Sequence, residues 1–123
     1  LIESVFGTIL RQLVEGHPEI IGAIFAAWDG EMVDLYHRDA DGAFEVQTLG
    51  AHLGIMVKRI QRAHTRVNLG GFQELSISTD RAIYIVVPVT DDYYIGLWST
   101  SGAPLGWAKR RIEMAVHAIR KEM

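Results

Sequence analysis

Five histidines, an acidic doublet and a run of three hydroxyl residues are the side chains best equipped for chemistry in this sequence, and their spacing argues against each. His17, His37, His52, His64 and His117 share no metal-ligand spacing. His64 falls on an apolar helical face, where a hydrogen-bonded core or rim histidine is the simpler reading than a ligand. Asp91-Asp92 lies between two extended runs without a third carboxylate at short range, so it reads as a solvated turn rather than a hard-cation site. Ser99, Thr100 and Ser101 have no nucleophile elbow around them and are expected to cap the helix that follows. Gly70-Gly71 lacks the Lys and Ser/Thr that complete a phosphate loop. With no cysteine in the chain, disulfides, thiolate metal sites and cysteine nucleophiles are excluded, which fits a reducing cytosol. The expectation is no catalytic residue, no cofactor and no metal. Trp28, Trp98 and Trp107 remain. If the strands ending at Trp28 and Trp98 are neighbours, the two indoles come near each other, either as a core rim or as the mouth of a ligand pocket.

The elements that position these residues come from a chain of 123 residues, long enough for one domain with one core, expected over 1–123. At 49% hydrophobic and 22% charged it has the stock of a globular domain. No stretch reads as a membrane span or a signal peptide, so no membrane insertion is expected. The net charge of −3 argues against nucleic acid as a partner, but it is unevenly spread. Residues 1–46 hold nine acids against two bases, a balance of −7, and the remainder carries +4. Much of that positive charge sits on Lys58-Arg59-Arg62-Arg66 and on Lys109-Arg110-Arg111-Arg120-Lys121. Such a face either steers an acidic protein partner or simply solvates a helix.

Ile2, Val5, Phe6, Ile9, Leu10, Leu13 and Val14 have the spacing of an amphipathic helix over 2–15, stopped by Gly16 and Pro18. IIGAIFAAW is a strand without alternation, and Asp29-Gly30 turns it into Met32–His37 as a tight hairpin. Arg38 to Gly42 is a polar loop. A second helix runs from about Thr48 to Val67. Its buried stripe is Leu49, Leu53, Met56, Val57, Ile60, His64 and Val67, opposite Ile55, Lys58, Arg59, Arg62 and Arg66. Gln73 to Ser78 alternates and suits a sheet edge. IYIVVPVTDDYYIGLW is a hairpin whose first run is apolar at every position, which requires cover on both faces. A last helix buries Leu105, Ala108, Ile112, Ala115, Val116 and Ile119. The expected fold is α+β, in the order α-β-β-α-β-β-β-α, with a five-stranded antiparallel sheet carrying one helix on one face and two on the other.

This pattern resembles the roadblock/dynein light chain (roadblock/LAMTOR) family over nearly the whole chain. The likeness rests on the element order, on IIGAIFAAWDGEMVD as first hairpin and on YIVVPVTDDYYIGLW as the late one. The closing APLGWAKRRIEMAVHAI resembles the last helix of bacterial members that regulate a Ras-like gliding-motility GTPase. The resemblance implies a cytoplasmic, non-enzymatic homodimer in which the third strands of two copies pair and the second helices lie side by side. Its dimer interface then maps to Ile55, Arg59, Gln73, Glu74, Leu75, Ser76, Ile77 and Ser78. A small Ras-like GTPase is the implied partner, held on Ile55, Lys58, Arg59, Arg62 and Arg66. Members that stimulate a GTPase supply no arginine finger, so these arginines are not read as catalytic. Two rival functions stay open: a structural adaptor of the dynein light chain kind, and a small-molecule sensor of the longin or PAS kind using the tryptophans.

Overall fold

A computed structural model describes residues 4–39, 42–67 and 70–123, with the backbone alone described at 43, 44, 46 and 64–67. Ile2 lies outside the described residues, as do the side chains of His64, Arg66 and Val67. The elements are α1 (Val5–Glu15), β1 (Ile20–Ala27), β2 (Met32–His37), α2 (Ala43–Val67), β3 (Leu75–Ser78), β4 (Ala82–Pro88), β5 (Tyr93–Thr100) and α3 (Leu105–Lys121). All neighbouring strands are antiparallel, in the order β2-β1-β5-β4-β3.

The central strands do not alternate in polarity because each feeds two cores. From β1, Ala23 and Phe25 pack with α1 and α3, whereas Ile24 and Ala26 pack under α2 with Trp28. The β4 run divides the same way: Ile83, Ile85 and Val87 to the first core, Tyr84 and Val86 to the second. Successive side chains of a strand point to opposite faces, so an unbroken apolar run is what a sheet sandwiched by helices demands. One helix on one face and two on the other is the arrangement found.

Local chemistry sets the ends of the elements. The Ser4 side chain accepts from the Gly7 N–H at 2.9 Å and caps α1. At the other end of α1, Arg38 gathers carbonyls of the helix end and the following turn. Its Nη2 donates to Val14 O at 2.6 Å and to His17 O at 2.8 Å, and its Nε to Ile20 O at 3.0 Å. Gly50 and Gly54 bring α2 down onto the sheet. A Cβ at Gly50 meets Ile24 at 3.0 Å, and the Tyr94 hydroxyl donates to Gly50 O at 2.6 Å.

Six local expectations are corrected, the first being Leu105, which is 40% exposed in the first turn of α3 rather than on its buried stripe. The second helix begins at Ala43 rather than near Thr48: Glu45 stands in its first turn, where the helix dipole favours an acid, and Glu45, Gln47 and Thr48 are exposed. Met56 is 44% exposed, since Leu53 and Val57 define the buried stripe and Met56 stands beside it. The first hairpin closes over four residues: Gly30 takes φ 98°, and a bulge at Phe25/Ala26 absorbs the extra length. The third strand starts at Leu75, not Gln73. The hydroxyls at 99–101 do not cap α3, whose N-cap is Pro104 without a side-chain bond. Ser99 donates to Thr100 O at 2.9 Å, Thr100 to the Glu19 carboxylate and Ser101 to Asp80 O at 3.5 Å, so the last two pin the turn before β1 and the β3–β4 turn instead.

Candidate protein-interaction site

Chain direction places α2. It leaves the β2 edge and must deliver the chain to β3 at the opposite edge. A helix of 25 residues is roughly 37 Å long, and α2 runs over β1, β2 and β5 toward the hairpin tips: Gly50 sits on Ile24 and Tyr94, Gly54 by the Trp28 carbonyl, and Lys58 beside Asp29 and Asp92. Gly50, Leu53, Gly54 and Val57 face the sheet. His52, Ile55, Met56, Arg59, Arg62 and Ala63 face away, and Ile55 is 51% exposed. Two large apolar side chains therefore stand in the open beside two arginines, on a helix whose other face is already committed. Lys58 is drawn apart from them. It lines an open cleft of about 300 Å³ with Asp29, Glu31, Asp91 and Asp92 at the tips of two hairpins. Arg66 lies on the same helix, its side chain outside the described residues.

The two sheet edges differ in how they are finished. Arg38 N–H donates to Ile21 O at 2.8 Å, and antiparallel pairing alternates, so the outward backbone groups of β2 belong to Leu35 and His37. The Leu35 N–H is capped at 2.8 Å by the Asp34 carboxylate, which also receives the Ser4 hydroxyl. A charged side chain closing an edge amide is a device against strand addition. On β3, Thr79 N–H donates to Ala82 O at 2.8 Å, so the same alternation turns Leu75 and Ile77 toward β4 and leaves Ser76 and Ser78 facing out. Among the described residues, nothing caps those two outward N–H groups. Glu74, beside them, accepts from Ser76 Oγ at 3.0 Å and pairs with Lys109 of α3 at 2.9 Å. Its carboxylate is thus engaged within the chain rather than waiting for an arginine.

The tryptophans do not form one rim. Trp98 is registered opposite Gly22, six residues before Trp28, so about 20 Å of strand separates them. Trp28 stacks on Tyr94 with centroids 4.7 Å apart, whereas Trp98 meets Tyr84 and His37. The cavity beneath α2 beside Trp98 and Tyr94 measures about 10 Å³, room for one water at most. Burial there pushes the Tyr94 phenol up to about 12. Among the described residues, no three His, Asp or Glu side chains are grouped to hold a metal, and no helix is long and apolar enough to cross a membrane.

Sequence reasoning named the outward α2 face and the β3 edge but missed Arg38 and Asp34. Arg38 sat in a stretch read as a polar loop and Asp34 in the returning strand of the first hairpin. Only strand register reveals what their side chains satisfy.

A five-stranded antiparallel sheet with α2 alone on one face and α1 and α3 on the other defines an α+β class with known members. The chain has the Roadblock/LC7 fold. A Roadblock/LC7 domain from Streptomyces avermitilis superposes with TM-score 0.83 at 16% identity, covering 94% of each chain. An MglB structure with a tetrameric arrangement gives 0.81 at 16%, over 94% of this chain and 85% of that one. The gliding protein MglB from Thermus thermophilus gives 0.78 at 17%, over 98% and 93%. No protein-family model and no curated protein matches the sequence. The likeness is one of shape.

Proposed function

We propose that this chain is a non-enzymatic roadblock domain, spanning 1–123, that pairs with a second copy through β3 and regulates a small Ras-like GTPase held on the two α2 helices. The observation that carries this reading is the outward face of α2. Ile55 and Met56 are exposed next to Arg59 and Arg62, on a helix that the sheet anchors from below. An apolar centre with arginine beside it has the composition of an interface core. The dimer interface comprises Ile55, Arg59 and the segment Gln73 to Ser78; the partner surface comprises Ile55, Arg59, Arg62 and Arg66, while Lys58 stands apart at the hairpin tips. The shape shared with MglB gliding proteins supports the GTPase as the kind of partner, and the tetrameric arrangement of one MglB supports association between copies. The cytoplasm is the compartment that this reading requires.

The test is a pull-down on the immobilised domain, followed by GTP hydrolysis measured on the recovered GTPase with and without the domain. A change in turnover supports regulation. Recovery without any change makes the domain an adaptor. The chain alone is expected neither to bind nor to hydrolyse GTP, and saturable GTP binding by the purified domain overturns the proposal. For the sensor reading, the cavity beneath α2 beside Trp98 has room for one water at most, and Trp28 borders only the open acidic cleft of about 300 Å³ that Lys58 lines.

A further inference from the structure

We propose that the two copies meet with the two-fold axis passing between Ser76 and its own counterpart, a register that rests on the β3-paired dimer proposed above. Outward backbone groups limit the choices. Ser76 and Ser78 face the open edge, and the alternation extended one step before the strand adds Glu74. A two-fold pairing of β3 with itself is fixed by the residue or pair on the axis, and side chains directly opposite share a face.

With Ser76 on the axis, Ser76 faces Ser76, Glu74 faces Ser78, and Leu75 faces Ile77 twice. Leu75 and Ile77 are the half-buried β3 side chains on the α2 side, so this register sets apolar against apolar under the paired helices. On the opposite face it sets small hydroxyls at the axis and a Ser78 hydroxyl against each Glu74 carboxylate. That carboxylate already holds Ser76 Oγ and Lys109 Nζ, and a carboxylate has lone pairs to accept one donor more.

The neighbouring registers are worse for stated reasons. An axis at Ile77 sets Leu75 against Thr79 and Glu74 against Asp80, two like-charge contacts directly opposite one another. An axis at Leu75 sets Ile77 against Gln73, pairing an apolar residue with an amide, and extends the ladder past the start of the strand at Leu75. An axis at Ser78 runs the partner strand into the Asp80-Arg81 turn. Only the Ser76 axis uses the whole strand and keeps like with like.

The absence of native cysteine makes the test clean. Three single variants, Ser76→Cys, Leu75→Cys and Ile77→Cys, are oxidised with diamide under native conditions, and covalent dimer is read on non-reducing gels. Mass in solution and circular dichroism are measured on each reduced variant. Cα atoms paired across a ladder lie about 4.5 to 5.5 Å apart, within disulfide reach, whereas residues two positions off register are not. Ser76→Cys is expected to cross-link with itself, less readily than a non-hydrogen-bonded pair does because a hydrogen-bonded site sets its Cβ atoms farther apart. Leu75→Cys and Ile77→Cys are each expected to stay uncoupled alone and to cross-link when mixed and allowed to exchange subunits. Self-coupling of Leu75→Cys or Ile77→Cys in preference to Ser76→Cys overturns the register while leaving the dimer in place. A dimeric mass with no cross-link at any of the three positions overturns β3 as the seam. A monomeric mass for the unmodified chain removes the dimer itself, and the register with it.

Discussion

Arg38 shows how much a single side chain can do in what the sequence presents as a loop. Its guanidinium donates to carbonyls of Val14, His17 and Ile20, closing the end of α1 and the turn into β1 together. Arg38→Met keeps most of the stem and removes all three bonds. It is expected to cost about 1–2 kcal/mol, discounted for the side chain's exposure and visible as a lower urea midpoint with unchanged slope. Tyr94 poses the opposite case, a fully buried phenol bonded to Gly50 O. Burial pushes its folded pKa to about 12, whereas an unfolded tyrosine ionises near 10. Between those values the unfolded chain releases a proton that the folded one keeps. Stability is therefore whole below about pH 10 and falls as pH climbs toward 12, by roughly 2 kcal/mol from this group. Tyr94→Phe is expected to lose about 1 kcal/mol at neutral pH with the Gly50 bond, and to fall less steeply than wild type in alkali. Urea midpoints of both proteins at about pH 8 and pH 11 measure the difference. An identical alkaline decline in the two proteins would count against Tyr94 as the group responsible.

At the scale of elements, the two sheet edges make opposite forecasts. Ser76 points its N–H outward, so Ser76→Pro removes a seam donor without touching the β3–β4 ladder. Ile77 points inward, so Ile77→Pro breaks that ladder as well. Size-exclusion mass is expected to fall to monomer for Ser76→Pro while its circular dichroism stays native. Ile77→Pro is expected to lose both dimer and fold. On the far edge, Asp34→Ala uncaps the Leu35 amide and is expected to raise aggregation in light scattering, since an open edge then invites strand addition. The elements themselves were largely legible. The unbroken apolar runs at Ile20–Trp28 and Ile83–Val87 foretold helices on both faces, and the alternation of Leu75 and Ile77 with Glu74, Ser76 and Ser78 foretold an edge. Ends were less legible because tertiary bonds decide them. α2 starts at Ala43, ahead of the stripe read from Leu49, with Glu45 in its first turn, and the bulge at Phe25/Ala26 lengthens a turn that Asp29-Gly30 alone makes look tight. Trp28 and Trp98 were misjudged together because adjacency of strands says nothing of register, and antiparallel register sends their ends apart.

Charge organises the molecule as a whole. The acidic excess of residues 1–46 and the basic excess of the remainder meet at the hairpin tips, where Lys58 stands among Asp29, Glu31, Asp91 and Asp92. Sequence spacing put Lys58, Arg59 and Arg62 on one basic face; the fold separates Lys58 and leaves Arg59 and Arg62 beside Ile55 and Met56. If these two arginines serve an acidic GTPase surface, charge reversal must weaken the complex chiefly through its association rate. Arg59→Glu with Arg62→Glu is expected to lower affinity roughly tenfold or more at low ionic strength. Wild-type binding is expected to lose part of that advantage as salt shortens the screening length to about 10 Å near 0.1 M. Surface plasmon resonance against the GTPase at several salt concentrations reads both effects, with solution mass as the control for the dimer. The doubly reversed variant should also show the flatter salt dependence, because fewer charges remain to be screened. If the arginines only solvate α2, affinity and its salt slope will stay unchanged in a variant that remains dimeric, and the partner surface must then be sought elsewhere on the molecule.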